Sequence, residues 1–358
     1  MILLHNFSAF MSLKSFSQRV PNFIVALSGF LMLMTVCATP LQAQTMMSTY
    51  VNDSLSLTET DIAAIQSDIF INSIESRSEI WHLDLDYPFG QEVETASLSW
   101  PELRMIPFNL WMKPVYNNSE IERTATNFDS DTIGLSFGAD REQNDWLYGL
   151  SGNWLETDSE ADDNSSKSDI QSFSLGPYVA RKLDYGLKAI GTLSLAVQDI
   201  DTTRGNVTGN TESSRISSSA ALQGRYWHNR FNYGFNAGYR YSHTSQDGFT
   251  ESNGSIRPDR ETTLGTGHIG AVGGYYWKIK GGDMLHGLMA QAQLNYEHDL
   301  VYDQPDDGSS YDDNGFNVKG SIHAITKGPF TLSLDAAMSL ARDDRDNANI
   351  GFNIRRKF

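Results

Sequence analysis

Apolar and polar positions alternate along most of this chain with a period of two. The stretch FNYGFNAGYRY, residues 231–241, is the clearest case. Phe231, Tyr233, Phe235, Ala237, Tyr239 and Tyr241 interleave with Asn232, Gly234, Asn236, Gly238 and Arg240. Such a period puts the two sets on opposite faces of a strand. In 330–340, Phe330, Leu332, Leu334, Ala336, Met338 and Leu340 alternate with Thr331, Ser333, Asp335, Ala337 and Ser339. In 288–298, Leu288, Ala290, Ala292, Leu294 and Tyr296 alternate with Met289, Gln291, Gln293, Asn295 and Glu297. The pattern predicts strands at 107–116, 130–140, 145–156, 169–181, 185–200, 214–227, 231–242, 262–277, 284–298, 314–326, 330–341 and 347–358. No helical pattern interrupts them. Antiparallel pairing follows, because parallel neighbours need long crossovers.

The connections alternate too. Long ones fall at 117–129, 157–168, 201–213, 243–261 and 299–313, with a shorter one at 342–346. Between them lie the short turns REQN, KLD, HNR, KIKGGD and KGP. Acidic residues dominate the long loops, as in DSEADDNSSKSD and DQPDDGSSYDD, while the short turns carry a basic excess. A soluble sandwich has no reason to sort its loops. A transmembrane β-barrel does, with tight turns on one side of the membrane and long loops on the other. In hydrocarbon an unpaired backbone amide costs several kcal/mol, so strands span only as a closed ring without edges. The expected fold is all-β, a 12-stranded antiparallel transmembrane β-barrel. Tyr233, Phe235 and Tyr239 are expected to face lipid. Counting by twos makes Lys188, Arg225, Asn232, Asn236, Arg240, Glu297, Lys319 and Asp335 the lumen-facing candidates. Trp146, Trp154, Tyr226, Trp227, Tyr241, Tyr276 and Trp277 lie near strand ends and are expected to form interfacial girdles.

The period changes before residue 107. Lys14 and Arg19 precede the apolar stretch FIVALSGFLMLMTVC (23–37), and the small or polar run ATPLQAQT follows. This is the order of a secretory signal peptide, expected over residues 1–43 with cleavage after Ala43 or Ala38; Met11 is an alternative start. The segment 44–104 precedes the barrel expected over 105–358. Within it, Ser56 and Glu59 form a capping-box pattern, and Ile62, Ile65, Ile69 and Ile74 recur at helical spacing. A helix is expected near 57–79. Its other faces carry Thr60, Gln66, Asp68, Asn72, Glu75 and Arg77, so it suits a wet cavity or another protein surface rather than lipid. Residues 82–106 read as irregular, punctuated by Pro88 and Pro101.

Composition narrows the function. The formal net charge of −17 repels nucleic acid. The single cysteine, Cys37, lies in the apolar leader, so thiol chemistry is not expected of the mature chain. The pairs Asp306-Asp307 and Asp312-Asp313 lack the ligand spacing of an EF-hand, so no metal site is assigned. No G-x-S-x-G elbow occurs, and His228, His268, His286, His298 and His323 are scattered over separate strands and turns. GTGHIGAVGG (265–274) lacks the strand-then-helix context of a dinucleotide site. No catalytic residue and no cofactor is expected.

Four stretches carry a family resemblance: LWMKPVY at the first strand, SDTIGLSFGAD at the second, SDIQSFSLGPYVAR at the fourth, and FNAGYRYSHTSQDGFTESNGS across the seventh strand and its loop. In this order and spacing, residues about 105–358 resemble the autotransporter β-domain, the outer-membrane translocator of type V secretion. The resemblance implies an outer-membrane location in a Gram-negative bacterium, in contact with lipid and lipopolysaccharide. It implies the Sec machinery, periplasmic chaperones and the barrel-insertion complex as partners, and a monomer. The helix near 57–79 resembles the family's linker, which occupies the pore. Residues 44–104 are too short for a β-helical passenger, so a translocator with little or no passenger is expected. Some members cleave themselves at paired asparagines in that helix; only Asn72 is present, so no self-cleavage is expected. Ile354 and Phe358 resemble the terminal insertion signal of such barrels, although its spacing from Gly351 is stretched. Two other readings stay open: a small-solute channel or surface structural protein, and an adhesin acting through the acidic loops.

Overall fold

Alternation along the chain becomes a closed ring of strands. The computed structural model describes residues 54–85, 108–121, 127–161, 166–279, 285–303, 312–326, 330–342 and 345–356. The signal-peptide reading of 1–43, the rest of the chain up to residue 53, all of 86–107 and Phe358 fall outside the described residues. The helix α1 spans Ser54–Leu85. The strands are β1 (Asn109–Ile121), β2 (Phe128–Gln143), β3 (Trp146–Ala161), β4 (Ser166–Leu183), β5 (Leu187–Arg204), β6 (Val207–His228), β7 (Phe231–Gln246), β8 (Phe249–Thr250), β9 (Ile256–Arg257), β10 (Arg260–Lys278), β11 (Leu285–Asp303), β12 (Asn314–Thr326), β13 (Phe330–Leu340) and β14 (Arg345–Arg356). All but β8 and β9 form one closed barrel, in which each strand pairs antiparallel with its sequence neighbours and β1 pairs with β14. β8 and β9 make a two-stranded ribbon in the loop after β7.

The register fixes which face each residue takes. In β4 the even positions are buried and the odd ones, including Phe173, Leu175 and Val179, are exposed. Phe231, Tyr233 and Phe235 lie outward and exposed, while Asn232 and Asn236 are buried inside. A water-soluble protein would hide such an aromatic face; here it is the surface a bilayer covers. The two-residue turns Asn144–Asp145 and Asn229–Arg230 close β2–β3 and β6–β7, with Asn144 and Asn229 at φ 54° and 55°. Asparagine tolerates that left-handed conformation.

Several elements differ from the sequence expectation. Strands run further at the long-loop end: β6 has 22 residues, and the expected loop 201–213 is mostly the β5–β6 hairpin. Polar residues outside lipid still pair their backbones, so a hydropathy pattern undercounts strand length there. A span needs only about 9–11 residues. α1 is longer than 57–79 and begins before Ser56, so Ser56 is not its cap. Of the expected girdle, Trp146, Trp154 and Trp277 are exposed outside, but Tyr276 is fully buried inside against Met289, with Trp227 packed beside it. Their parity along β10 and β6 places them inward. Tyr239 lies on the outward series but is buried.

One outward row carries an electrostatic cost. Asp131, Asp158, Asp169 and Asp201 sit directly opposite one another across β2, β3, β4 and β5, all exposed. Like charges in register across a sheet destabilise it.

Candidate functional site

The lumen is filled by α1, and the helix sequence explains how it is seated. Ile62, Ile65 and Ile69 pack on Ile121, Leu155, Ile170 and Ile200. One turn further on, Phe70, Ile71 and Ile74 pack on Trp111, Leu147, Tyr178, Ala180 and Ile190. The apolar stripe of α1 therefore lies on a wall built from β1, β3, β4 and β5. Burying each such side chain contributes about 1.5–3 kcal/mol.

The helix direction follows from its polar contacts. Glu59 accepts hydrogen bonds from Ser168 Oγ (3.2 Å) and Gln246 Nε2 (2.9 Å), both near the long-loop end. Gln66 donates to Thr157 Oγ1 (3.0 Å) and accepts from Gln198 (2.5 Å). Ser73 Oγ bonds Ser136 Oγ (2.9 Å). Arg215 reaches the carbonyl of Ala63. Arg77 lies near the short-turn end, where Nε and Nη2 both bond Asp140, each at 2.7 Å, and both side chains are fully buried. So α1 runs from the long-loop mouth at its N-terminus to the short-turn mouth at its C-terminus.

Asp140 is the hub of that lower contact. It also accepts from Asn109 Nδ2 (2.9 Å) and Tyr178 Oη (2.7 Å), and Tyr178 in turn accepts from Trp111 Nε1 (3.0 Å). Glu142 lies 3.6 Å from Arg77 and 2.5 Å from Arg355. A buried arginine is tolerated when a bidentate carboxylate and further bonds compensate its desolvation.

The sequence-derived lumen candidates fall into three groups around the helix. Arg225 (3.3 Å) and Lys319 (3.9 Å) bracket Glu79, and Lys188 Nζ donates to the carbonyl (2.8 Å) and Oγ (3.1 Å) of Ser78. Arg240 bridges Asp68 (3.1 Å) and Glu297 (2.5 Å). Asp335 meets Lys113 (3.2 Å) and accepts from Ser76 Oγ (2.8 Å). Lys113 reaches Asp335 from two strands away by crossing Gly351, where an added Cβ would lie 2.3 Å from Lys113 Cε. Asn232 bonds within the barrel: it donates to the Tyr226 carbonyl (3.4 Å) and accepts from Gln291 (3.1 Å). Asn236 is buried beside Gly270, where an added Cβ would lie 2.7 Å from its Oδ1. Ile354 pairs with Met112 and Leu332 on the outward face.

Sequence reasoning did not select Asp140, Lys113, Asn109, Tyr178, Arg215 or Arg355. Parity was the available signal. Phe137 is outward in β2, so Asp140, three residues on, is inward.

This geometry is a barrel threaded by its own upstream helix, and the comparisons with known proteins agree with it. The family profile described as the autotransporter beta-domain matches residues 110–353. The chain belongs to the autotransporter β-domain family. Among solved structures, this autotransporter barrel is similar to the translocator domain of NalP from Neisseria meningitidis. That match has a TM-score of 0.63 and 11% identity, over 87% of this chain and 100% of that one. The β-domain of the Bordetella autotransporter BrkA matches with a TM-score of 0.58 and 17% identity, over 71% of this chain and 100% of that one. The transport unit of AIDA-I from Escherichia coli gives 0.52 and 12%, over 75% of this chain and 94% of that one. At these identities the likeness is one of fold. No curated protein matches the chain in sequence. The autotransporter barrel resides in the outer membrane of a Gram-negative bacterium and works as a translocator. Its short turns face the periplasm and its long loops face outward.

Proposed function

We propose that this autotransporter barrel carries polypeptide lying upstream of Ser54 to the cell surface, and that α1 then seats as the plug that closes the lumen. The observation that carries this reading is the course of α1. Its N-terminus meets the extracellular mouth, and its far end is clamped by Arg77 on Asp140 near the periplasmic turns. On this reading, whatever precedes the helix emerges outside. The reading includes no chemical step, no cofactor and no self-cleavage within the helix. Partners are the Sec machinery, periplasmic chaperones and the barrel-insertion complex, the last reading Ile354 and Phe358. The barrel acts as a monomer in contact with lipid and lipopolysaccharide. A helix-filled lumen argues against a solute channel.

The test is an epitope inserted immediately before Ser54. On intact cells it becomes accessible to antibody and to added protease. An epitope that stays protected until the outer membrane is permeabilised contradicts the proposal.

A further inference from the structure

The lumen has two unlike walls. One is apolar and holds the stripe of α1. The other, across a cavity beside the helix, carries Asn117, Asn317, Asn347 and Asn349 from the barrel, facing Asn72 of the helix, with the charged Asp68, Arg240, Glu297 and Arg342 at its margin. Inward positions of β14 recur every second residue, so Asn347, Asn349, Gly351 and Asn353 form a column along the strand. Asn117 lies directly opposite Asn349, and Asn317 opposite Asn295.

Part of this amide set has no partner inside the protein, a property that Asn153 on β3 shares. Asn117 is 1% exposed and Asn353 0%, and neither amide atom of either has a partner among the described residues. The Oδ1 of Asn347 has none either. An unsatisfied buried polar group costs about 1–3 kcal/mol, so such a column is expensive as mere lining. Nearby charges are paired: Arg240 with Asp68 and Glu297, Arg342 with Asp299, and Lys113, which crosses Gly351 between Asn349 and Asn353, with Asp335. The asparagines themselves offer paired donors and acceptors without charge.

That chemistry matches a polypeptide backbone in extended form. An extended chain repeats its N–H and C=O groups every two residues, about 6.6–6.8 Å, and inward side chains along one strand repeat with the same spacing. An asparagine amide offers one donor group and one acceptor group to such a backbone, whatever the side chains of the cargo. Each bond is worth only about 0.5–1.5 kcal/mol net, so contacts of this kind guide without trapping. We propose that the column Asn347–Asn349–Asn353, with Asn117 and Asn317, is the track along which the extended segment upstream of Ser54 passes. Except for Asn117, which shares β1 with Trp111 and Ile121, these residues stand on strands other than those that receive the helix stripe. This proposal rests on the translocator reading above.

The test uses the full chain with Cys37→Ser, carrying before Ser54 an epitope and a disulfide-closed loop that stalls passage. One cysteine is placed in the stalled segment and one in the barrel. Cross-linking is expected to be several-fold stronger with Asn317→Cys and Asn349→Cys than with Leu155→Cys and Ile170→Cys. Equal yields, or a preference for positions 155 and 170, overturn the proposal. Separately, the combined Asn117→Leu, Asn347→Leu and Asn349→Leu variant is expected to slow arrival of an unstalled epitope several-fold. An unchanged rate in a variant that keeps its heat-dependent gel shift means the amides serve hydration only, and overturns the proposal. If the triple variant fails to insert, the single-cysteine comparison decides. An epitope that never reaches the surface with the native barrel defeats the translocator reading instead.

Discussion

At the residue scale, the helix and the barrel recognise each other by opposite charge. α1 presents Asp68, Glu75 and Glu79 to a wall carrying Lys188, Arg225, Arg240 and Lys319, and only Arg77 reverses the sign, against Asp140. One reversed pair fixes how far the helix enters, because sliding by a turn would bring Arg77 away from its carboxylate. Removing one partner of a buried pair leaves an uncompensated charge, at a cost of about 3–5 kcal/mol. Arg77→Ala is therefore expected to loosen the plug, read as faster proteolysis of α1 in detergent-solubilised barrel. The exchange of Arg77→Asp with Asp140→Arg is expected to restore part of the protection. Protection unchanged in Arg77→Ala would remove the clamp from this account. The sequence showed Arg77 as a polar face of a helix, but its partner comes from register. Only pairing of β2 with β1 and, across Gly149 of β3, with β4 brings Asp140 among Asn109, Tyr178 and Arg77.

At the element scale, two faces make opposite predictions. Ile65 and Ile69 bury α1 against β1, β3, β4 and β5, so Ile65→Ala or Ile69→Ala is expected to destabilise helix docking by about 2–5 kcal/mol. Tryptic release of the helix as the barrel is warmed measures it, and an unchanged release temperature would contradict the packing. On the outer face, the row Asp131, Asp158, Asp169 and Asp201 costs stability. Asp158→Asn is expected to stabilise the barrel by about 0.2–1 kcal/mol, with the gain shrinking in high salt. Urea unfolding in lipid vesicles reads this directly, and a loss of stability would show that the row is held by something other than solvent. Strand number, face and loop sorting were legible in the sequence because each rests on a period of two. Strand ends at the outer side were not legible, since polar hairpins such as β5–β6 pair through backbone alone. Trp227 and Tyr276 misled for a related reason. Proximity to a strand end suggested the membrane interface, while parity sends both into the lumen.

At the scale of the whole molecule, one chain supplies both a ring and the rod that fills it. With 32 residues, α1 is about 48 Å long, enough to run through a hydrocarbon core of about 30 Å. No described helix is long and apolar enough to cross a membrane by itself, which fits a rod whose solvent is the lumen rather than lipid. On the proposed reading the resting barrel is closed by its own linker, and opening it requires moving α1. Single-channel conductance in planar bilayers tests this most directly, comparing the full chain with a chain lacking residues 54–85, each first shown to keep a heat-dependent gel shift. The account predicts brief, small conductance for the full chain and a large, sustained one without the helix. Equal conductance from both would contradict a helix-plugged barrel.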